Sequence, residues 1–224
     1  MKKLIFLGTN GVLERHIEAC ERQEQPIAGI IDGDWFGNRD SFAGLPLLDS
    51  QEIFNTDPGK YQDYVFFVGV NWNPKAGRDI PKRKMFIELV RKHNLPCINL
   101  IDPKSYVSKF ADLGTNIFIG PGVNVEPYTT IKDFVTIWGN CTVGHHNFIG
   151  ENSVLQRQVL IHAQVGADVY ISMSSTVVGD DNDITIGDGA NIGPCLHVAR
   201  NVLPGEKVSL SRHMTRIYRH STLS

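Results

Sequence analysis

From Val107 to Leu155 an aliphatic residue returns at every sixth position: Val107, Leu113, Ile119, Val125, Ile131, Ile137, Val143, Ile149 and Leu155. A helix repeats its apolar face every 3.6 residues and a strand every 2, so neither explains a strict six over this length. The pattern predicts a hexapeptide β-helix, in which short strands wind round a prism and each hexapeptide forms one side. The aliphatic first position points into the axis. The fifth is the other inward position and carries Ala111, Ile117, Val123, Thr129, Val135, Cys141, Asn147 and Ser153. All but Asn147 are small or β-branched, as a narrow interior requires. Glycine at the second position (Gly114, Gly120, Gly144, Gly150) is expected to serve a corner with unusual backbone angles.

Beyond Leu155 the phase admits two readings. In one, Ile161, Ala167 and Met173 continue the first position. In the other, Gln156–Gln158 interrupt and Val159, Val165, Ile171 and Val177 restart it. A polar excursion from Gly179 to Asp183 follows, then Ile186, Ile192 and Val198 resume the period, and Asn201–Gly205 close the last coil. The segment from Ser209 loses it and carries Arg212, His213, Arg216, Arg219 and His220.

Residues ahead of the repeat read differently. An apolar strand, Leu4–Leu7, runs into Gly8-Thr9-Asn10-Gly11, a helix from about Leu13 to Arg22, and a second strand, Ile27–Ile31, ending at Asp32-Gly33-Asp34. Strand, glycine turn, helix, strand, acid is the opening of a doubly wound α/β unit. Glycines there let the backbone approach a phosphate at a helix N-terminus, or simply form a tight turn. Gly8 and Gly11 leave one glycine of the dinucleotide fingerprint unmatched, so a dehydrogenase is disfavoured while a single nucleotide or nucleotide sugar stays open. A brief helix is expected to about Asn55, capped by Asp49 or Ser50. Tyr64–Val70 is expected as a fully buried strand that leads into the loop Asn71-Trp72-Asn73-Pro74, where open α/β sheets hold ligands. Lys82–His93 is expected as a helix with Met85, Phe86, Leu89 and Val90 on one face. Its Lys82-Arg83-Lys84 run reads as a solvated face or a phosphate contact. Ile98–Ile101 is one more strand.

The fold expectation is thus α/β + β: a Rossmann-like domain over residues 1–102, a left-handed parallel β-helix over 103–211, and a tail over 212–224. A formal charge of −2 and a pI near 6.4 give no footprint for nucleic acid. Cys20, Cys97, Cys141 and Cys195 are widely spaced and read as reduced, mostly buried thiols. No run reaches transmembrane length and no signal-peptide pattern opens the chain, so the expectation is a cytoplasmic protein without membrane insertion.

Gly8-Thr-Asn-Gly11, Ile30-Ile-Asp-Gly-Asp34, Val68-Gly-Val-Asn71 and Val143-Gly-His-His-Asn-Phe-Ile-Gly150 together resemble one bacterial family. It comprises the nucleotide-sugar acetyltransferases that N-acetylate 4-amino-4,6-dideoxy sugars, together with sialic acid O-acetyltransferase-like proteins. The resemblance implies a homotrimer, acetyl-CoA bound between neighbouring β-helices, and a nucleotide-linked amino sugar on the N-terminal domain, in surface glycan synthesis. It places substrate contacts at Gly8, Thr9, Asn10, Gly11, Asp32, Asp34 and Asn71, and acetyl-CoA contacts at His162, Ala163 and Gly193. Position three of a hexapeptide points outward, and His145 occupies it. By resemblance His145 is the general base, since a neutral imidazole suits proton removal near neutral pH. His146 stands where the family carries an acid, Val154 where many members carry a second histidine, and Val208–Arg212 replaces a Gly-x-Pro-Ala stretch. A sugar O-acetyltransferase and a β-helical scaffold without activity are the alternatives. Exposed aromatics at Phe118, Phe134, Trp138 and Phe148 are expected to supply the trimer contacts.

Overall fold

The structure, a computed structural model, describes residues 1–72, 79–179 and 183–210. The expectations for Asn73-Pro74, for Asp180–Asn182 and for the tail lie outside these residues.

Chain order is β1 (Leu4–Leu7), α1 (Leu13–Arg22), β2 (Ile27–Ile31), β3 (Ser41–Phe42), β4 (Leu45–Asp49), α2 (Ile53–Thr56), β5 (Val65–Val68) and α3 (Asp79–His93). The strands form one sheet in the order β3-β4-β2-β1-β5, parallel except for the β3–β4 pair. The chain moves outward from β1 through β2 to β4, then returns to the other side of β1 as β5. Strand order therefore reverses at the carboxyl ends of β1 and β5, where open parallel sheets form a crevice. Both strands are almost wholly buried, which explains their unbroken apolar runs. The helix at α2 begins at Ile53 with no side-chain cap. In α3 the inward face is Arg83, Phe86, Ile87 and Val90, whereas Met85 is 37 % exposed.

From Leu100 onward, short strands stack in three parallel sheets as a β-helix. Leu100–Ile101, expected beside the N-terminal strands, is the first of these and pairs with Phe118–Ile119. Asn124 pairs with Thr142, eighteen residues on, so three hexapeptides make one coil. First and fifth positions line the core, from Ile117 and Ile119 through Val165 and Ile171 to Ile192.

Two expectations about the coils need correction. The left-handed backbone falls at position four: Asn116, Gly122, Tyr128, Phe134, Asn140, His146, Asn152 and Gln158 have φ between 56° and 69°. The second-position glycines serve another end. A Cβ on Gly150 would sit 2.3 Å from the Gly166 carbonyl carbon, and one on Gly120 would sit 2.9 Å from the Gly139 nitrogen. They let successive coils touch backbone to backbone.

The period breaks twice: first just past Gln156–Gln158 and then, as expected, between Val177 and Ile186, since Val165 pairs with Ile186, twenty-one residues on. Ile161 keeps the first position, paired with Val143 and Val177. Phe148, however, pairs with Gln164, sixteen residues on. The corner between the strands Leu160–His162 and Gln164–Val165 is therefore two residues short. Asn147 fills the gap from the coil before: its amide donates to the Ile161 carbonyl (2.9 Å) and accepts from the Ala163 N–H (3.0 Å). This accounts for the one amide at an inward position. The C-terminal coil also runs past Gly205, because Lys207–Val208 pairs with Asn191–Ile192.

One side of the prism is covered by the N-terminal sheet and α1. Phe118, Trp138, Val154 and Tyr170 share a buried cluster with Leu4, Phe6, Leu13 and Phe67. Each large side chain buried there contributes about 2–3 kcal/mol. Phe134 joins Phe66, Val68 and Phe86 in a second cluster. Phe118, Phe134 and Trp138 are thus interior contacts and unable to serve between subunits; Phe148 alone of the four is partly exposed, at 36 %. The uncovered sides present Tyr106, Phe110, Tyr128 and Leu160 instead.

Arg83, expected on a solvated face, is 2 % exposed. Its guanidinium donates to the Val70 carbonyl (2.5 Å), the Phe134 carbonyl (2.5 Å) and the Asn152 side-chain oxygen (2.7 Å). Burial pulls its pKa down to about 10, so it remains charged at neutral pH. Trp72 adds a bond from its indole nitrogen to the Asn152 carbonyl, 2.8 Å. The loop after β5 is thereby fastened to two successive coils. No helix among the described residues is long and apolar enough to cross a membrane.

Candidate functional site

The crevice at β1 and β5 brings together the N-terminal residues singled out above. Gly8 has φ of +73°, and its missing side chain leaves room for Phe86 and Val70; a Cβ would lie 2.3 Å from the Phe86 ring. Gly11 has no heavy atom within 4 Å of where a Cβ would stand. Buried Asp32 accepts from the Thr9 N–H (2.8 Å) and hydroxyl (3.0 Å), and pairs with the Lys82 ammonium at 2.8 Å. Lys82 also reaches the exposed Asp34 at 2.7 Å. Asp32 thus shapes the turn internally, while Asp34, Lys82 and Gly11 form its accessible rim. The Asn10 amide donates to the Asn71 carbonyl at 2.6 Å, tying the turn after β1 to the loop after β5. The side-chain oxygens of both asparagines are buried and lack a partner among the described residues. Buried acceptors of that kind are costly unless a ligand or water meets them.

The second site is a corner of the β-helix. His145 and His146 are exposed at positions three and four, after the strand Thr142–Val143. Their Nδ1 atoms lie 3.0 Å apart, close enough to share one hydrogen. The backbone N–H of His145 donates to the Glu126 carboxylate at 3.1 Å. The ring of His162, on the shortened corner of the next coil, meets the His145 ring edge-on at 5.0 Å. On the far side, the His146 ring lies tilted against Tyr128 (4.9 Å), which stacks on Phe110 (5.7 Å). His146 has φ of 56°, its N–H donates to the Pro127 carbonyl (3.1 Å), and its own carbonyl accepts from Gln164 (3.1 Å). The corner is held from both neighbouring coils.

The remaining residues fall elsewhere. Ala163 is buried beneath this corner, where its N–H meets Asn147. Gly193 lines a separate cavity of about 390 Å³ with Gln156, Tyr170, Met173, Asn191 and Lys207. Val154 is fully buried against the N-terminal sheet. His197 is exposed. Burial pushes the Cys20, Cys97 and Cys141 thiols up to about 12, whereas Cys195, expected inside, is exposed. Glu126 was missed from sequence, and Lys82 was named only within a charge run. Glu126 lies one eighteen-residue coil below Gly144, and counting by coils would have put it beside His145. Lys82 carried no signal beyond its charge run.

No family model matches the chain. It is 27 % identical over 186 residues to the bifunctional protein GlmU of Geobacillus thermodenitrificans, covering 72 % of this chain and 39 % of that protein. Against GlmU of Clostridium botulinum (strain 657 / Type Ba4) it is 24 % identical over 239 residues, covering 95 % and 49 %. The chain thus spans less than half the length of these relatives. Among solved structures it superposes on PerB from Caulobacter crescentus, in complex with CoA and GDP-perosamine, with a TM-score of 0.71. Identity there is 19 %, with 91 % of this chain and 92 % of PerB covered. The acetyltransferase domain of PglB from Neisseria gonorrhoeae, in complex with acetyl coenzyme A, gives a TM-score of 0.69 at 18 % identity, with 92 % and 95 % covered. The fold is the one shared by these left-handed β-helix acetyltransferases.

Proposed function

We propose that this chain is an acetyl-CoA-dependent N-acetyltransferase acting on a nucleotide-linked amino sugar, with His145 as general base. The observation that carries this reading is an exposed imidazole on a coil corner, held at Nδ1 by a neighbour. It occurs in a fold that PerB uses with CoA and GDP-perosamine. In the reaction the sugar amine attacks the thioester carbonyl, so a C–N bond forms and the C–S bond breaks. His145 takes the amine proton, which passes on to the departing thiolate of CoA. A backbone N–H of an adjacent coil would meet the oxyanion. The same base would activate a hydroxyl, so an O-acetyltransferase is the nearest alternative.

In this reading residues 1–102 form a Rossmann-like unit that binds the nucleotide sugar and residues 103–211 the acyltransferase unit. Gly11, Asp34 and Lys82 face the diphosphate and ribose, and the Asn10 and Asn71 side-chain oxygens accept from the ligand. His162, Ala163 and Gly193 belong to the acetyl-CoA side. Active sites lie between the subunits of a cytoplasmic homotrimer, packed through Tyr106, Phe110, Tyr128 and Leu160. The scaffold reading rested on His146 and Val154; Glu126 beside His145 supports the enzyme, because it brings a carboxylate to the corner.

The test is acetyl-CoA turnover with GDP-, UDP- and dTDP-linked 4-amino-4,6-dideoxy sugars, followed by thiol release and product mass. His145→Ala should lower kcat about 10²–10⁴-fold with acetyl-CoA affinity retained. No turnover with any acceptor, or full activity in His145→Ala, would overturn the proposal.

A further inference from the structure

A side-chain contact at the coil corner joins two imidazoles. With His145 Nδ1 and His146 Nδ1 at 3.0 Å, one of the two nitrogens must carry the hydrogen and the other the lone pair. These alternatives differ chemically. If His145 donates, its Nδ1 holds the proton and its basic lone pair is on Nε2. If His146 donates, neutral His145 carries its proton on Nε2 and has no lone pair there to take one from substrate.

We propose that His146 is a positioning residue that fixes the tautomer of His145, accepting its Nδ1–H and so keeping Nε2 basic. The inference rests on the reading of His145 as the base. His146 fits this task because its own place is set independently. Its backbone occupies the left-handed corner position, its N–H and carbonyl are bonded to Pro127 and Gln164, and its ring lies on Tyr128. His145 is braced on its other sides by the Glu126 carboxylate at its N–H and by the His162 ring. Among the described residues, the titratable and charged groups seen to meet the pair include Glu126, Tyr128 and His162, with Lys109 further out over Phe110. An acid in the place of His146 would hold the same tautomer and also stabilise the imidazolium. A neutral imidazole holds the tautomer without adding charge. Once the pair binds a further proton, His145 Nε2 is protonated in either arrangement, so the acid limb of activity belongs to the pair.

The experiment uses the full chain labelled with ¹⁵N-histidine, whose two-bond ¹H–¹⁵N spectrum reads each ring's tautomer, His145 being assigned by its loss in His145→Gln. His146→Asn keeps an acceptor and suits a corner position that Asn116, Asn140 and Asn152 already occupy. His146→Ala removes the acceptor. The parent protein and His146→Asn should show His145 protonated at Nδ1, and His146→Ala should lose that preference. In turnover, His146→Ala should lower kcat roughly 10–100-fold with KM for acetyl-CoA little changed, and His146→Asn should recover most of the loss. His146→Asp should move the acid limb up by about one pH unit, because a carboxylate favours the imidazolium. An unaltered His145 tautomer in His146→Ala, or equal kinetics in the Asn and Ala variants, would overturn the proposal. If the parent turns over no acceptor, the acetyltransferase reading fails, while the spectra still decide the tautomer.

Discussion

The Asn147 side chain grips the backbone at Ala163, 3.0 Å from amide oxygen to N–H, and in doing so replaces two residues that the next coil lacks. An apolar residue there would leave the Ala163 N–H buried without a partner and the Ile161 carbonyl with the Gly144 N–H alone. Asn147→Val should destabilise the chain by about 1–3 kcal/mol, seen in urea denaturation. Asn147→Asp keeps one acceptor but sets its other carboxylate oxygen against the Ile161 carbonyl in a buried place, so it should cost at least as much.

The two glycines of the first turn should separate in their effects. Gly8→Ala meets Phe86 and Val70 at a positive φ and should lower Tm and soluble yield before any ligand is added. Gly11→Ala meets nothing and should fold normally. Loss of nucleotide-sugar affinity in Gly11→Ala, by calorimetry, is the expected result; unchanged affinity there would leave the turn purely architectural.

Removing the buried guanidinium should unfasten the two units. Arg83→Met strands the Val70 and Phe134 carbonyls and the Asn152 amide, a loss of about 3 kcal/mol or more in denaturant melts. Arg83→Lys should recover only part, since one ammonium cannot match a planar fork. Native-state hydrogen exchange should quicken in α3 and at the coil corner of Asn152.

His16 should make stability fall in mild acid. Packed among Phe6, Phe67, Phe118 and Trp138, it is held to a pKa of about 3 by burial first, then by Arg83 and Arg15. Its folded pKa lies below the unfolded value of about 6.5. Between those values the unfolded chain binds a proton that the native one refuses. This contribution is complete above pH 6.5 and is lost as pH falls toward 3, by up to about 1.4 kcal/mol per unit. His16→Phe should flatten that slope in melts from pH 7 to pH 5.

The repeat was legible because an inward position in a narrow prism tolerates few side chains, so spacing alone exposed it. Strands β1 and β2 and helix α1 were legible for a similar reason: both faces of the sheet are covered, and α1 shows one apolar stripe. Arg83 was not, since a charge run looks the same whether its middle member points to water or to three carbonyls. Trp138 and Phe118 were misread because a residue outward from the prism can be inward to the molecule. Around His145, position three was readable from the hexad. Its neighbours Glu126 and His162 come from adjacent coils, each one eighteen-residue step from Gly144, so they emerge only when the chain is counted by coils.

A stack of coils joined only to its neighbours melts from its open end. The N-terminal sheet covers the side from Phe118 to Tyr170, and among the described residues the coils beyond Ile186 have no side chain in that cluster. Fraying should therefore start near Val208 and travel inward, reaching the two histidines late. Their corner sits in the third of the six strands stacked on its side, insulated from the loose end. The outermost coils can thus open and close like the last turns of a spring while the imidazole pair keeps its spacing.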